Sequence, residues 1–524
     1  MKATSLNQQN LPFLLYLRAE EKQLNKLMLF IRKSIAFAFQ SILKKASLMA
    51  CLFCFHLTAA AQDTLNVAQH QAHNLALELR WTEARQLVKD NTAYSIYVTS
   101  LCNVLELLIN EDQRLLDGYE QIFEKQLAQL EKQSSSPSVI FAQAELQLQW
   151  AFVCLKFERE FDGALKLRRA YQLAAQGRKK YPDYLPLLKC HGLLQILLGA
   201  VPEKHNWILR MMSMQGSTQT GLTELQQLSK TNTFAGTEAR IFLALIHGYI
   251  RQEPMMAKSY MAGLLKDYPD QGLIKFVGAT LALKNNEAEK SLELLRTFNT
   301  NTPPAVYYMK GETLLYKGEY EEAILSFQQY IKLFKGKSFV KDAHFKTGIC
   351  YQLLQNKTKA EQYFSLARSI SAENTEADKY ATRVLNSSEG LNTKLIRIRF
   401  LTDGGYYDEA RKAASEVSPA DLPQLKDQIE FYYRQARLAQ LTNNTNAARL
   451  FYEQVIDMSG EPDKSLWYFA PNAALQLGYF KMQNNDQAGA KMYFNKAISY
   501  KKHEYKNSID AKAMAALNQL KERK

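Results

Sequence analysis

Four stretches of this chain repeat one spacing of small and aromatic residues, and that repetition constrains the fold more than any other feature. In the segment 307–330, Gly311 is followed by Leu314 three residues on, Ala323 twelve on and Phe327 sixteen on. The offsets return at Gly348, Tyr351, Ala360 and Phe364, with Ala367 completing the copy. They return again at Gly478, Ala490, Phe494 and Ala497, and a fourth copy runs Ala436, Ala448, Tyr452 and Val455. Such spacing fits two helices joined by a short turn. Small side chains at Gly311 and Ala323 let the axes approach the lower end of the usual ~8–10 Å separation. The aromatic residue then fills the space toward the following pair. Gly318, in Lys317-Gly318-Glu319, is placed to end the first helix in the left-handed conformation.

These offsets resemble the tetratricopeptide repeat, a helix–turn–helix unit of about 34 residues. Fainter copies flank the clear ones: Leu245, Ala257, Met261 and Pro269; Leu79 to Ala84; and Phe400 to Ala414 with Gly404-Gly405. With only 22 glycines and 13 prolines in 524 residues, long helices joined by short turns are expected throughout. The predicted fold class is all-α, an α-solenoid of roughly ten stacked pairs. The expected segments are 1–61, a leader; 62–298, degenerate repeats; 299–385, two clear repeats; and 386–524, C-terminal repeats. Stacked repeats share one continuous core, so these segments are not expected to be independent domains.

Residues 191–228 depart from simple repetition: an apolar helix, a proline break at Pro202, a second apolar helix, a glycine-polar turn and the pair Gly221-Leu222. This stretch resembles the linking element of the inclusion-body-clearance family of tetratricopeptide proteins, with a likeness extending over residues 70–370. Members of that family are mostly intracellular. Read without the resemblance, the stretch is a buried helical hairpin with Trp207 and Met211 to Met214 in its core.

The chain's start reads as an address. Lys44-Lys45 precede an apolar run from Ala46 to Leu57, followed by small residues at Ala59 and Ala61. That order predicts a secretory signal cleaved between Ala61 and Gln62, with Met28 as an alternative start. Leu48-Met49-Ala50-Cys51 also reads as a bacterial lipobox, but the apolar run continues past Cys51, which favours plain cleavage. The apolar run is too short for a permanent membrane helix, so no transmembrane helix is expected in the mature chain. The expected location is the periplasm or envelope of a Gram-negative bacterium, with peripheral envelope association.

The leader also removes charge. Residues 1–61 hold eight Lys/Arg against Glu20 and Glu21, leaving about +8 of the chain's +14. The remainder is scattered, with Arg178-Lys179-Lys180 its longest basic run. Nucleic-acid binding calls for a basic stripe with stacking aromatics, and none stands out, so no nucleic-acid partner is expected. Cys102, Cys154, Cys190 and Cys350 each lie in an apolar helical stretch, which predicts buried free thiols. His70 and His73 are three residues apart without an acidic or cysteine ligand nearby, so no metal is expected there. No phosphate-binding loop, nucleophile elbow or H-E-x-x-H motif occurs, and no cofactor or catalytic residue is predicted.

What remains is binding. The first helices of stacked pairs line a concave side. Counted from the repeat glycine, the groove-facing candidates are Tyr308, Glu312, Gln352, Tyr433, Arg437 and Tyr479, with Phe345 better explained by packing. Aromatic area with polar groups to fix register suits a protein or peptide partner. The expected function is an exported, non-catalytic scaffold. The alternative is a surface protein capturing glycans or nutrients, which calls for clustered exposed tryptophans. Trp81, Trp150, Trp207 and Trp467 are dispersed.

Overall fold

The computed structural model of the protein describes residues 65–201, 206–298, 302–387, 390–462, 467–503 and 505–522. The expected leader lies outside them. The described residues form 25 α-helices and no strand, which is the all-α repeat architecture the spacing predicts. They divide into two compact units, one holding the described residues up to Leu281 with a few around 298–303 and 334–336, the other holding the rest from Ala282 on.

In the first unit the helices are α1 (Val67–Leu77), α2 (Trp81–Leu87), α3 (Ala93–Asn110), α4 (Gln113–Glu131), α5 (Pro137–Lys156) and α6 (Glu160–Lys180). They continue with α7 (Leu187–Gly199), α8 (Asn206–Met211), α9 (Thr218–Ser229), α10 (Phe234–Leu245) and α11 (Pro254–Asp267), and the unit ends within α12 (Gly272–Lys284). The second unit holds α13 (Ala288–Leu295), α14 (Pro304–Lys317), α15 (Tyr320–Leu333), α16 (Val340–Leu353), α17 (Lys357–Ser369) and α18 (Glu376–Asn386). Then come α19 (Thr393–Gly404), α20 (Tyr407–Ser415), α21 (Leu425–Leu441), α22 (Thr445–Met458), α23 (Phe469–Gln483), α24 (Gln487–Ser499) and α25 (Lys506–Glu522).

One turn recurs through both units. A residue with φ between 50° and 91° stands two positions before the next helix at Leu79, Glu111, Glu158, Gln252, Asn286, Gly318, Gln355, Gly405, Asn443 and Asn485. In most of these turns the following N–H reaches back five residues to a helix carbonyl, as Glu319 N does to Leu314 O at 3.0 Å and Asn444 N to Ala439 O at 2.8 Å. That bond satisfies a carbonyl the helix end would otherwise strand. The same following residue starts the next helix: its own carbonyl accepts from Ala323 N after Glu319 and from Ala448 N after Asn444, both at 3.0 Å. The repeat's small residue is thus fixed five positions after the left-handed one. Gly318, with φ 91°, takes the conformation expected of it.

The repeat glycines meet aromatic rings before anything else. A Cβ on Gly311 would lie 2.8 Å from the Phe327 ring, on Gly348 2.6 Å from Phe364, and on Gly478 2.5 Å from Phe494. The ring fills its own pair instead of the space beyond it, a correction to the expected packing. Four residues separate each alanine from its aromatic residue, so both share the face turned to the first helix, and the larger reaches the glycine.

In the first unit, α7 and α9 cross almost backbone on backbone. A Cβ on Gly221 would fall 2.3 Å from the carbonyl oxygen of Gly192, which gives the Gly-Leu pair its physical reason. The hairpin reading of this stretch needs correcting. Met214 is buried, but Trp207 and Met211 stand outside the core, 40% and 52% exposed. Helix α5 is apolar enough and long enough to cross a membrane, yet it lies buried inside the unit. Around it α3, α7 and α10 enclose a buried ion cluster. Lys189 Nζ lies 2.7 Å from Glu145 and 2.6 Å from Glu238, and donates to the Tyr97 hydroxyl at 3.3 Å.

In the second unit, α18 and α19 lie across first helices of the clear repeats. Phe345 on α16 meets the edge of Tyr380 on α18 at 6.2 Å, and Tyr316 on α14 stacks on Phe400 of α19 at 5.5 Å. The end of α19 is pinned by its turn. Asn286 Nδ2 donates to the Asp403 carbonyl at 2.9 Å, and the Tyr406 hydroxyl donates to Glu289 at 2.9 Å.

Candidate functional site

The first helices of the second unit carry all six residues picked from the repeat spacing, and the structure divides them. Tyr308, three before Gly311, and Tyr433, three before Ala436, are buried, 8% and 3% exposed; Phe345, three before Gly348, is buried with them. Residues three apart share a helix face. The glycine's face is turned to the second helix, so the position three before it points into the stack. Tyr308 and Tyr433 therefore do not face a groove, contrary to expectation. Glu312, Arg437 and Tyr479 each stand one residue after the repeat's small residue and are half-buried; Gln352 is likewise half-buried.

Tyr308 and Glu312 are further enclosed in a charge cluster. Lys346 Nζ lies 2.5 Å from Glu312 and 2.8 Å from Asp342, and it donates to the Tyr308 hydroxyl at 3.0 Å. The Tyr308 hydroxyl in turn donates to Asp342 at 2.6 Å. Burial opposes the charge on Lys346, but Asp342 and Glu312 outweigh it and hold the ammonium above its ordinary pKa. Burial and the same two carboxylates push the Tyr308 phenol well up. Beside them Asp378 accepts from the N–H groups of Phe339, Asp342 and Thr375 at 3.0–3.1 Å. Burial and the neighbouring Asp342 push its carboxyl up to about 6.

The face of α21 and α23 is more open. A row of amides crosses it: Gln440 Nε2 donates to Gln476 Oε1 at 2.9 Å, and Gln476 Nε2 to Asn472 Oδ1 at 3.1 Å. Arg437 donates to Gln440 Oε1 at 3.0 Å, and the Tyr452 hydroxyl donates to the same oxygen at 2.6 Å. Asn472, Gln476 and Tyr479 fall on one stripe of α23, as do Arg437 and Gln440 on α21. The stripe joins two predicted residues to three that the repeat offsets do not mark. Tyr479 rests its ring against the edge of Phe494, 5.3 Å away.

Arginines and tyrosines from α18, α19 and α21 meet Tyr468 and Tyr505, which stand just before α23 and α25. Arg399 on α19 donates to the Tyr380 hydroxyl at 3.0 Å and lies 3.5 Å from Asp403. Arg434 on α21 pairs with Glu430 at 2.6 Å and sits over the Tyr433 ring at 5.3 Å. Tyr433 meets Tyr468 at 5.5 Å, Tyr468 meets Tyr505 at 5.2 Å, and Arg383 sits over Tyr505 at 5.8 Å. Burial opposes the charge on Arg437, but Tyr452, Tyr433 and Asp403 outweigh it and hold its pKa above the ordinary value.

Elsewhere the structure places titratable groups in the core. His73 is buried, and burial, then His70 and Lys189, lower its pKa well below the usual range. Among the described residues no group of three or more His, Cys, Asp or Glu is arranged to hold a metal ion. The four described cysteines are free and buried, and burial pushes the Cys102 thiol up to about 12.

The model of the Iml2/Tetratricopeptide repeat protein 39 family matches residues 187–395, and a tetratricopeptide repeat model matches residues 429–462 and 471–504. The first match starts at the linking element and runs past α18, so residues 70–186 lie outside it, unlike the likeness expected over 70–370. Chaperone protein HtpG of Campylobacter jejuni (strain RM1221) is 25% identical over 240 residues, which are 43% of this chain and 38% of that one. The chain thus spans well under half the length of the curated relatives it matches. A solved structure of the APC/C hetero-tetramer Cut9-Hcn1 is similar at 12% identity, covering 86% of this chain and 89% of its own, with a TM-score of 0.25. The TPR domain of P58(IPK) is similar at 14% identity, covering 78% and 95%, with a TM-score of 0.21. Recurrent helix pairs closed by one type of turn, with both matched models built on the same unit, make this chain a tetratricopeptide-repeat protein that resembles the Iml2/Tetratricopeptide repeat protein 39 family.

Proposed function

We propose that this protein is a non-catalytic scaffold that holds an extended segment of a protein partner along the face of α21 and α23. Tetratricopeptide repeats are a protein-interaction fold, and the observation that carries the finer reading is the row Arg437, Gln440, Gln476 and Asn472. Consecutive repeats present amides there at half-buried positions, where a bound main chain finds donors and acceptors in register. The order of Lys44-Lys45, an apolar run and Ala59 to Ala61 supports export to the envelope of a Gram-negative bacterium.

Photo-crosslinking in cells tests both parts. A crosslinkable residue replaces Gln476, and a second probe replaces the exposed Leu165 as a control; the mature N-terminus is read by mass spectrometry. One protein recovered from position 476 and absent from 165, on a chain beginning at Gln62, is the expected result. Equal recovery from both positions would remove the proposed face. A lipid on Cys51 with no protein crosslink would favour the capture of glycans or nutrients at the surface.

A further inference from the structure

Helix α16 starts without a cap of its own. Phe339 stands in the capping position with φ 59° and an apolar side chain, so it offers no acceptor to the first-turn N–H groups. The acceptor comes from α18. One Asp378 carboxylate oxygen accepts from Phe339 N at 3.0 Å, and the other accepts from Asp342 N at 3.1 Å. The same carboxylate closes the capping box of α18 with Thr375. Two more contacts lay α18 along α16. The Lys341 ammonium donates to the Thr382 hydroxyl at 2.5 Å, and the Tyr380 ring meets Phe345 edge on.

Three features set α18 apart from the repeats it lies on. The recurrent left-handed turn does not follow it; its C-cap, Ser387, is extended with ψ 135°, so α18 has no second helix of its own. Helix α19, next in the chain, pairs with α20 through the Gly405 turn and stacks on α14. The grip of α18 is also polar. Two of its eleven residues, Asp378 and Ala381, are buried, against nine of the fourteen in α16. Little apolar surface holds it down, and an element held that way opens at lower free energy than the core beneath it. Finally, its deepest contact sets the Asp378 carboxyl beside Asp342, so like charges oppose the closed position. We propose that α18 is an internal strap, a helix seated on α16 as a bound segment would be, which detaches as a unit and uncovers a binding surface kept closed at rest. That surface consists of Phe345, Lys341 and the start of α16. The occupant it fits is a helix of the strap's own pattern, with an acceptor in the first turn, an aromatic ring two residues on and a hydroxyl two beyond that. Nothing in this depends on how the amide row of α21 and α23 is used.

The test adds a fluorescein-labelled peptide of residues 373–386 to the full chain and follows anisotropy. Only molecules with the strap open take up the peptide, so its apparent affinity scales with the open fraction. Tyr380→Ala with Thr382→Ala loosens the strap and leaves α16 untouched. This chain should bind the peptide at least about tenfold more tightly than wild type does, and a peptide carrying the same two alanines should lose that gain. Hydrogen exchange on the wild-type chain keeps the test independent of how well the variant folds. Amides of 380–386 should exchange at least about a hundredfold faster than those of 344–350. Exchange of both helices at one rate overturns the inference, and α18 is then a fixed part of the stack. Peptide binding that is equal in the two chains, or absent from a folded loosened chain, overturns it as well.

Discussion

The second unit collects charge against its first helices in two places and treats it in opposite ways. Around α14 and α16, Lys346 is matched by Glu312, Asp342 and the Tyr308 hydroxyl. Helices α18 and α19 lie on the same side of these repeats. Around α21 and α23, Arg434 is buried and paired with Glu430, while Arg437 is half-buried with Gln440 as its hydrogen-bond partner. The first cluster is complete in itself, so its interactions hold the repeats together. The second leaves Arg437 with no carboxylate within ion-pair distance among the described residues. Charge removed from the first place should cost stability; charge removed from the second should cost binding.

The sharpest way to break this contrast is Lys346→Met. The substitution keeps the length of the side chain but leaves Asp342 buried without its cation. A loss of about 3–5 kcal/mol is expected, read as a lower denaturant midpoint for the second unit. A loss below about 1 kcal/mol would mean the cluster is not sealed as described. Gly405→Ala comes next. Its Cβ would sit 2.0 Å from the Asn286 carbonyl oxygen, in a residue with φ 87°, so both a clash and backbone strain arise. A cost of about 2–3 kcal/mol is expected from overpacking with the left-handed conformation. Gln355→Gly relieves the same conformation without a clash and should stabilise by up to about 1 kcal/mol. If both substitutions destabilise alike, the turn does not set the packing.

These turns show why some of the fold is legible in the sequence and some is not. Alanine five residues after the left-handed position, at Ala323, Ala360, Ala448 and Ala490, leaves a spacing that can be read directly. The left-handed residue itself is readable at Gly318 but hidden at Leu79, Glu158 and Gln355, where the side chain gives no sign of the conformation. The proposed face is half legible for a similar reason. Counting from the repeat's small residue picks Arg437 and Tyr479, which the structure leaves half-buried. It also picks Tyr308 and Tyr433, because an offset alone does not say which helix face is turned to the second helix. The cover supplied by α19 brings Phe400 to Tyr316 across many intervening residues, and no repeat spacing encodes that contact.

Acidity separates the two regions as well. The Asp378 carboxyl, pushed up to about 6 by burial and by Asp342, titrates near 3.9 in an unfolded chain. Between these values the folded state holds a proton that the unfolded state has lost. Stability from this group is therefore complete below about pH 4 and disappears as pH rises through about 6, a change on the order of 3 kcal/mol. Denaturant midpoints measured from pH 4 to 7 should show this fall superimposed on the other titrations. Asp378→Asn should remove it, at the cost of an acceptor for the N–H groups of Phe339 and Asp342. If wild type and variant differ by a constant amount at every pH, the shift assigned to Asp378 is wrong.

The smallest effect on stability is the one that sharpens the contrast most. Arg437→Gln replaces a cation that has no carboxylate partner with a neutral side chain able to keep the contact to Gln440. Removing a half-buried unpaired charge costs no ion pair and relieves some desolvation, so the midpoint should move by less than about 0.5 kcal/mol in either direction. Partner binding, by contrast, should fall, since a guanidinium with an accessible donor edge is what an incoming carboxylate would pair with. A large loss of stability in Arg437→Gln would place Arg437 with Lys346, as part of the framework. Retained stability with retained binding would leave the charge excess without a use, and the amide row alone would then have to carry recognition.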